Sequence, residues 1–163
     1  MKNLTTEDIK GIYSGTITNW KQVGGNDAKI VLLDRPEDES AKRLLRKHYL
    51  GNDLKSSPEA VVLRKETELI QTIQSTPYSI GSFSLAHAIS DKLPVNRLSL
   101  NGIEPTRENV EAGKYPMVRT ISIVWHKNPT EATQSLIKYI SSSPGINAME
   151  QSGFISVPPS AKN

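Results

Sequence analysis

Apolar positions along this 163-residue chain change their period several times, and each change marks an element. Near the start, Ile9, Ile12 and Tyr13 share one face at helical spacing. Thr5 and Asp8 stand at capping-box spacing, Leu4 and Ile9 can form the hydrophobic staple across them, and Gly15 closes the segment. The loop TNWKQVGGND puts Trp20 beside a glycine pair. KIVLL, Lys29 to Leu33, is a short β-branched run between turn signals and predicts a buried strand. From about Glu39 to Leu50 the helical period returns. Ala41, Leu44, Leu45 and His48 form the expected apolar face, with Lys42, Arg43, Arg46 and Lys47 opposite.

AVVL predicts a short strand, and KETELIQTIQSTP a helix with Leu69, Ile70 and Ile73 inward, stopped before Pro77. YSIGSFSL reads as a strand broken at Gly81, where a missing side chain lets another backbone or a ligand approach. VNRLSL is a further strand, and TRENVEAGKYP a brief helix and turn. MVRTISIVWHKNP is the longest strand candidate. Asn128 then caps a helix with Pro129 at its first position and Ala132, Leu136, Ile137 and Ile140 inward. A second helix follows, with Ser143 as cap, Pro144 first and Gly153 as terminator; FISVPP closes the chain before a polar tail. Helices alternate with strands and nothing repeats, so the fold class is α/β.

Composition narrows the function. Hydrophobic residues at 36% and charged residues at 23% are those of an ordinary folded domain. A net charge of +3 argues against nucleic acid unless it is concentrated in a patch. There is no cysteine, so neither a disulfide nor a thiolate metal site, and His48, His87 and His126 lie too far apart for a metal motif. No apolar run approaches the ~18 residues of a membrane span, and no signal peptide opens the chain. No nucleophile–base spacing, phosphate loop or dinucleotide fingerprint appears, so nothing supports an enzyme or a cofactor.

The informative stretch is LLDRPEDESAKRLLRKHYL, a strand running through Arg35 into a helix. A helix start suits anions, since its first N–H groups are unpaired and its dipole end is positive. Here that start is crowded by Glu37, Asp38 and Glu39, followed by Ser40 and Ala41. A carboxylate about 4 Å from a bound anion costs roughly 4 kcal/mol at an effective dielectric near 20. The helix end returns only ~0.3–2 kcal/mol. Two readings follow. The acids cap the helix and fill the site themselves, or two of them turn to solvent and leave a ligand site centred on Arg35 and Ser40.

The basic run Lys42, Arg43, Arg46 and Lys47 is either a phosphate-backbone contact or a solvated helix face, and the solvated face is the simpler reading. Tyr78, Ser79 and Ser82 flank Gly81 as weaker ligand candidates. Trp20 and Trp125 are expected to pack rather than to stack on a ligand, and Glu66 and Glu68 to complement a helix dipole.

Several segments match one family in order. IYSGTITNW, Ile12 to Trp20, is similar to the Ile-Phe-x-Gly-x-Ile-Thr-Asn-Trp stretch of the phosphate-type solute-binding proteins of ABC transporters. STPYSIGSFSLAHA resembles their Asn-Pro-x-x-Ile-Gly-Tyr segment, and KYPMVRTISIVWHK their Tyr-Pro-x-x-Arg strand. LIKYISSSPGINAMEQSGFISV resembles their closing helix and Gly-Tyr-Val ending. The resemblance runs over about residues 3–158.

It implies a type II periplasmic-binding fold, with a central mixed sheet flanked by helices. The chain is expected to be a shortened form of it: residues 3–112 a second lobe, 113–158 the returning crossover and C-terminal helices, and 159–163 a tail. It also implies non-catalytic binding of a small oxyanion such as phosphate, a periplasmic or extracellular location, and a transporter permease or a sensor as partner. A returning strand without its neighbours would be an open edge, so self-association as a homodimer is expected. The alternative is an interaction or sensor module that keeps the fold, has lost anion binding and binds another protein.

In the family the loop reads Arg-x-Asp-Gly-Ser-Gly-Thr, and its arginine pairs bidentately with phosphate. Aligned without a gap, Arg35 matches the arginine and Glu37 the aspartate, while Glu39, Ser40 and Ala41 fall on serine, glycine and threonine. With one inserted residue, Asp38, Ser40, Ala41 and Lys42 fall on aspartate, serine, second glycine and threonine. Arg35 keeps its place in both, and both lose the first glycine and the terminal hydroxyl. The ligand set implied is Arg35, Glu37, Asp38, Glu39, Ser40 and Ala41.

Overall fold

A computed structural model describes residues 1–156. The chain forms two compact units, residues 1–84 with 94–119, and residues 85–93 with those from 120 onward.

In the first unit, β1 (Asn3–Leu4) leads into α1 (Thr6–Ser14), whose start carries the expected reciprocal box between Thr5 and Asp8. Gly15 ends it at φ 80°, a left-handed conformation that suits a residue without Cβ. A 3-10 turn at Trp20–Val23 precedes β2 (Val31–Asp34). Then come α2 (Ser40–Leu45), a π turn over Arg46–Leu50, β3 (Val61–Val62), α3 (Glu66–Ser75) and β4 (Ser79–Gly81). Strand β2 lies between β3 and β4 and is parallel to both, with Leu33 opposite Val61 and Leu32 opposite Ile80. A helix joins each successive pair, the usual consequence of parallel order. After α4 (Leu85–Ser90) of the second unit, β5 (Ser99–Leu100) pairs in parallel with β1, and α5 (Arg107–Glu111) follows.

Leu4, Ile9, Ile12, Tyr13, Trp20, Ile30, Leu32, Leu45, Tyr49 and Leu50 form the core of the first unit, where α1 packs against the α2–π segment and β2. Gly81 sits where a Cβ would lie 3.0 Å from the Leu33 carbonyl, so its missing side chain admits a neighbouring backbone rather than a ligand.

Several expectations are corrected. Among the described residues the strand ladders are parallel, not mixed, and antiparallel pairing is confined to isolated bridges at Asn19–Lys29 and Leu100–Ile103. The stretch from Met117 to His126 is no strand: no backbone among the described residues pairs with it as a ladder, and Val118, Ile121, Ile123, Val124 and Trp125 are exposed. Leu85–Ser90, expected to begin in extended chain, is helix α4. In the second unit, α6 (Glu131–Ile140) is capped not by Asn128 but by Thr130, whose hydroxyl accepts from the Thr133 N–H. None of the residues of α6 is fully buried, its expected inward stripe included. Helix α7 (Ser143–Gln151) is capped by Ser142, one residue before the expected serine, and Gly153 adopts φ 80° just beyond it. The predicted closing strand and tail lie largely outside the described residues.

Candidate functional site

The carboxyl end of β2, the central strand of its sheet, is where open α/β sheets place ligands. Pro36, which has no N–H to give a ladder, follows directly, and the chain turns as Glu39 N donates to the Pro36 carbonyl at 3.0 Å. Arg35 to Ala41 therefore form one compact turn from β2 into α2.

Beneath the turn lies a charged pair that the hydrophobic pattern concealed. Asp34 is 3% exposed and Lys42 0%, and Lys42 Nζ donates to Asp34 Oδ2. The other carboxylate oxygen accepts the Arg35 backbone N–H at 2.7 Å. Lys42 Nζ also donates to Ser56 Oγ at 3.1 Å and stands 4.9 Å from the centre of the Tyr13 ring. Burial, and then the negative charge of Asp34, push the Tyr13 hydroxyl pKa far up, so it stays protonated.

Above this pair each crowding carboxylate has its own cation. Arg35, 7% exposed, directs Nη1 to the Leu63 carbonyl at 3.0 Å and Nη2 to Glu39 Oε2 at 3.1 Å. Glu37 accepts a bidentate pair from Arg46, Nε at 2.8 Å and Nη2 at 2.6 Å. The Arg46 hydrogen bond holds the Glu37 carboxyl below its ordinary range, and Glu37 in turn raises the Arg46 pKa. Asp38 accepts from Arg64 Nη1 at 3.0 Å, and this bond lowers its pKa. Ser40 Oγ accepts from Arg119 Nη1 at 2.6 Å, across 79 positions of sequence. Ala41 is half-buried in the first turn of α2.

The structure thus gathers Arg35, Glu37, Asp38, Glu39, Ser40 and Ala41 at one turn, and the acids do not take the capping role expected of them. Glu39 occupies the N-cap position without a side-chain cap bond, so the acids answer cations rather than free N–H groups. The basic run also divides. Lys42 is buried and Arg46 is tied to Glu37 and to the Gly51 and Leu54 carbonyls, while Arg43 and Lys47 are exposed. These two line, with Glu37, Arg46, Gly51 and Asn52, a surface hollow of about 820 Å³.

Sequence reasoning missed Asp34, Ser56, Arg64 and Arg119, and named Lys42 without expecting its burial. One signal was available. Lys42, Leu45 and Tyr49 lie at i, i+3 and i+7, so the buried stripe begins one residue later than the apolar letters suggest. The π turn over Arg46–Leu50 then shifts the register further.

The weaker candidates fall into structural roles. Trp20 is buried with Nε1 donating to the Tyr78 carbonyl at 2.8 Å, as its packing reading expected. Ser79 Oγ donates to the Thr76 carbonyl at 2.7 Å. Ser82 is half-buried, Tyr78 is exposed, and Glu66 and Glu68 open α3, whereas Trp125, expected to pack, is exposed instead. Among the described residues no group of three or more His, Asp or Glu could hold a metal ion, and no helix is long and apolar enough to cross a membrane.

Residues 1–144 match the model of the PBP superfamily domain. Over 163 residues the chain is 32% identical to the phosphate-binding protein PstS of Borreliella burgdorferi, covering 95% of this chain and 58% of that protein. It is 32% identical over 117 residues to PstS of Bacillus subtilis, covering 72% of this chain and 38% of that one. A Clostridium perfringens structure, described as a candidate phosphate ABC transporter substrate-binding protein with bound phosphate, superposes with a TM-score of 0.77. That match has 27% identity and covers 97% of this chain and 64% of the other. The chain therefore spans little more than half the length of the longer-matching curated relative.

Proposed function

The chain belongs to the PBP superfamily, and on that premise we propose that it binds a small oxyanion such as phosphate at the turn from β2 into α2. The observation that carries this reading is the Arg35–Glu39 pair at the carboxyl end of β2, a buried guanidinium whose fork already holds an oxyanion of the chain's own. Arg35 Nη2 takes one oxyanion oxygen, now Glu39 Oε2, while Nη1 stays on the Leu63 carbonyl. A phosphate oxygen then replaces Glu39 Oε2 at Arg35 one for one, and Ser40 supplies a hydroxyl beside it. Because a charge is exchanged for a charge, the nearby acids do not forbid binding as they would around an empty site.

Calorimetric titration with phosphate, sulfate and a phosphonate at pH 7 and low salt, beside Arg35→Ala, tests this. Heat that disappears in the variant supports the reading, provided circular dichroism shows the variant folded. No heat from the folded wild-type chain overturns it.

The wider role belongs to the same proposal. Residues 3–112 act as one lobe and 113–158 as the returning segment of a non-catalytic solute-binding protein. That protein works in the periplasm or outside the cell and hands its ligand to an ABC transporter permease. The names of the relatives support this more than an interaction module that has lost anion binding. The exposed apolar run Ile121–Trp125 favours self-association as a homodimer. Light scattering over a concentration series then shows a mass that rises with concentration, and a monomer throughout removes this part.

A further inference from the structure

Counting charges around the turn singles out a residue that neither of the sequence alignments placed in the ligand set. Arg35 is matched by Glu39, Arg46 by Glu37, Arg64 by Asp38, and Lys42 by Asp34. Arg119 is the cation touching this turn that has no carboxylate partner among the described residues. Arg119 is exposed and its Nη1 donates to Ser40 Oγ at 2.6 Å, so one N–H is committed and four donors of the fork have no partner among the described residues.

We infer that Arg119 is the charge partner of the bound oxyanion, which seats between its guanidinium and the Ser40 hydroxyl. This rests on the proposed oxyanion site and changes its electrostatics. At Arg35 a ligand only exchanges with Glu39, which leaves the local charge balance unaltered. At Arg119 the ligand meets a positive charge that no carboxylate among the described residues offsets, and the net Coulombic gain arises there. The planar fork presents parallel donors to a tetrahedral oxyanion, which an ammonium does not reproduce. Ser40 is suited to this exchange, because its hydroxyl accepts from Arg119 and keeps its own proton to donate to a ligand oxygen. Arg35, buried and tied through Nη1 to the Leu63 carbonyl, keeps the turn in shape while its Nη2 makes the exchange with Glu39.

The test is titration of the 163-residue chain with inorganic phosphate at 20 and 200 mM salt, using wild type, Arg119→Ala, Arg119→Lys and Arg35→Ala, each with a thermal melt. Arg119→Ala is expected to weaken binding at least tenfold and to flatten its salt dependence. Arg119→Lys should recover only part of the loss. Since Arg119 is exposed, its variants should melt within a degree or two of wild type, which separates lost binding from lost structure. Wild-type binding that Arg119→Ala leaves unchanged, while Arg35→Ala removes it, overturns the inference and leaves the site standing. A folded wild-type chain that takes up no phosphate overturns both.

Discussion

Val31–Leu33 and Ile121–Val124 have much the same intrinsic preference for extended chain and opposite outcomes. The first is the middle strand of a sheet, paired on both sides, with Leu33 0% exposed. The second pairs with nothing among the described residues, and Val124 is 93% exposed. β-branched side chains suit a pleated surface, but cross-strand neighbours and burial supply most of the stabilisation. Partners make the strand, and the letters only permit it. The same holds for charge. Arg43 and Lys47 are exposed on the helical segment, whereas Lys42 beside them is buried because Asp34 and Tyr13 wait at the carboxyl end of β2.

The contrast can be broken most forcefully at Lys42. Lys42→Met leaves Asp34 buried without its cation, a loss of about 3–5 kcal/mol for a broken buried pair. Urea denaturation should show it as a lower midpoint with an unchanged slope. A loss below about 1 kcal/mol would mean that Asp34 reaches water. Leu33→Ala comes next, at about 2–5 kcal/mol for a filled core site, against less than about 0.5 kcal/mol for Val124→Ala. Equal losses at the two positions would show that the second stretch is packed in solution.

The pH dependence is smaller. Glu37 and Asp38 have folded pKa values below their ordinary ones, through Arg46 and Arg64 respectively. Each pair therefore contributes stability above the ordinary carboxylate range, and that contribution is lost as pH falls through the lowered folded value. Denaturation midpoints between pH 7 and pH 3 should fall less in Glu37→Gln than in wild type. Parallel pH curves would assign the acid loss to other groups. Both carboxylates are largely exposed, so solvent screening keeps the effect modest.

Local order was legible where it depends on neighbours in sequence. The Thr5–Asp8 box, Gly15 at the end of α1 and the stop of α3 before Pro77 all rest on contacts a few residues apart. That Arg35 and Ser40 fall in one strand-to-helix turn was legible too. Its wiring was not. Arg64 and Asp38 are 26 positions apart, and Arg119 and Ser40 are 79 apart. A carboxylate next to an arginine in sequence does not reveal which cation will hold it. Burial of Lys42 was hidden for the same reason, because the pattern reports a face and not what packs against it.

The smallest effect bears on whether Glu39 stands in for a ligand oxygen at Arg35. Phosphate titrated into Glu39→Gln and wild type at pH 7 and low salt decides it. Removing the internal carboxylate should tighten binding three- to tenfold, about 0.7–1.4 kcal/mol. An unchanged or weaker affinity, or no heat from either folded chain, would mean that the Arg35–Glu39 pair is structure alone.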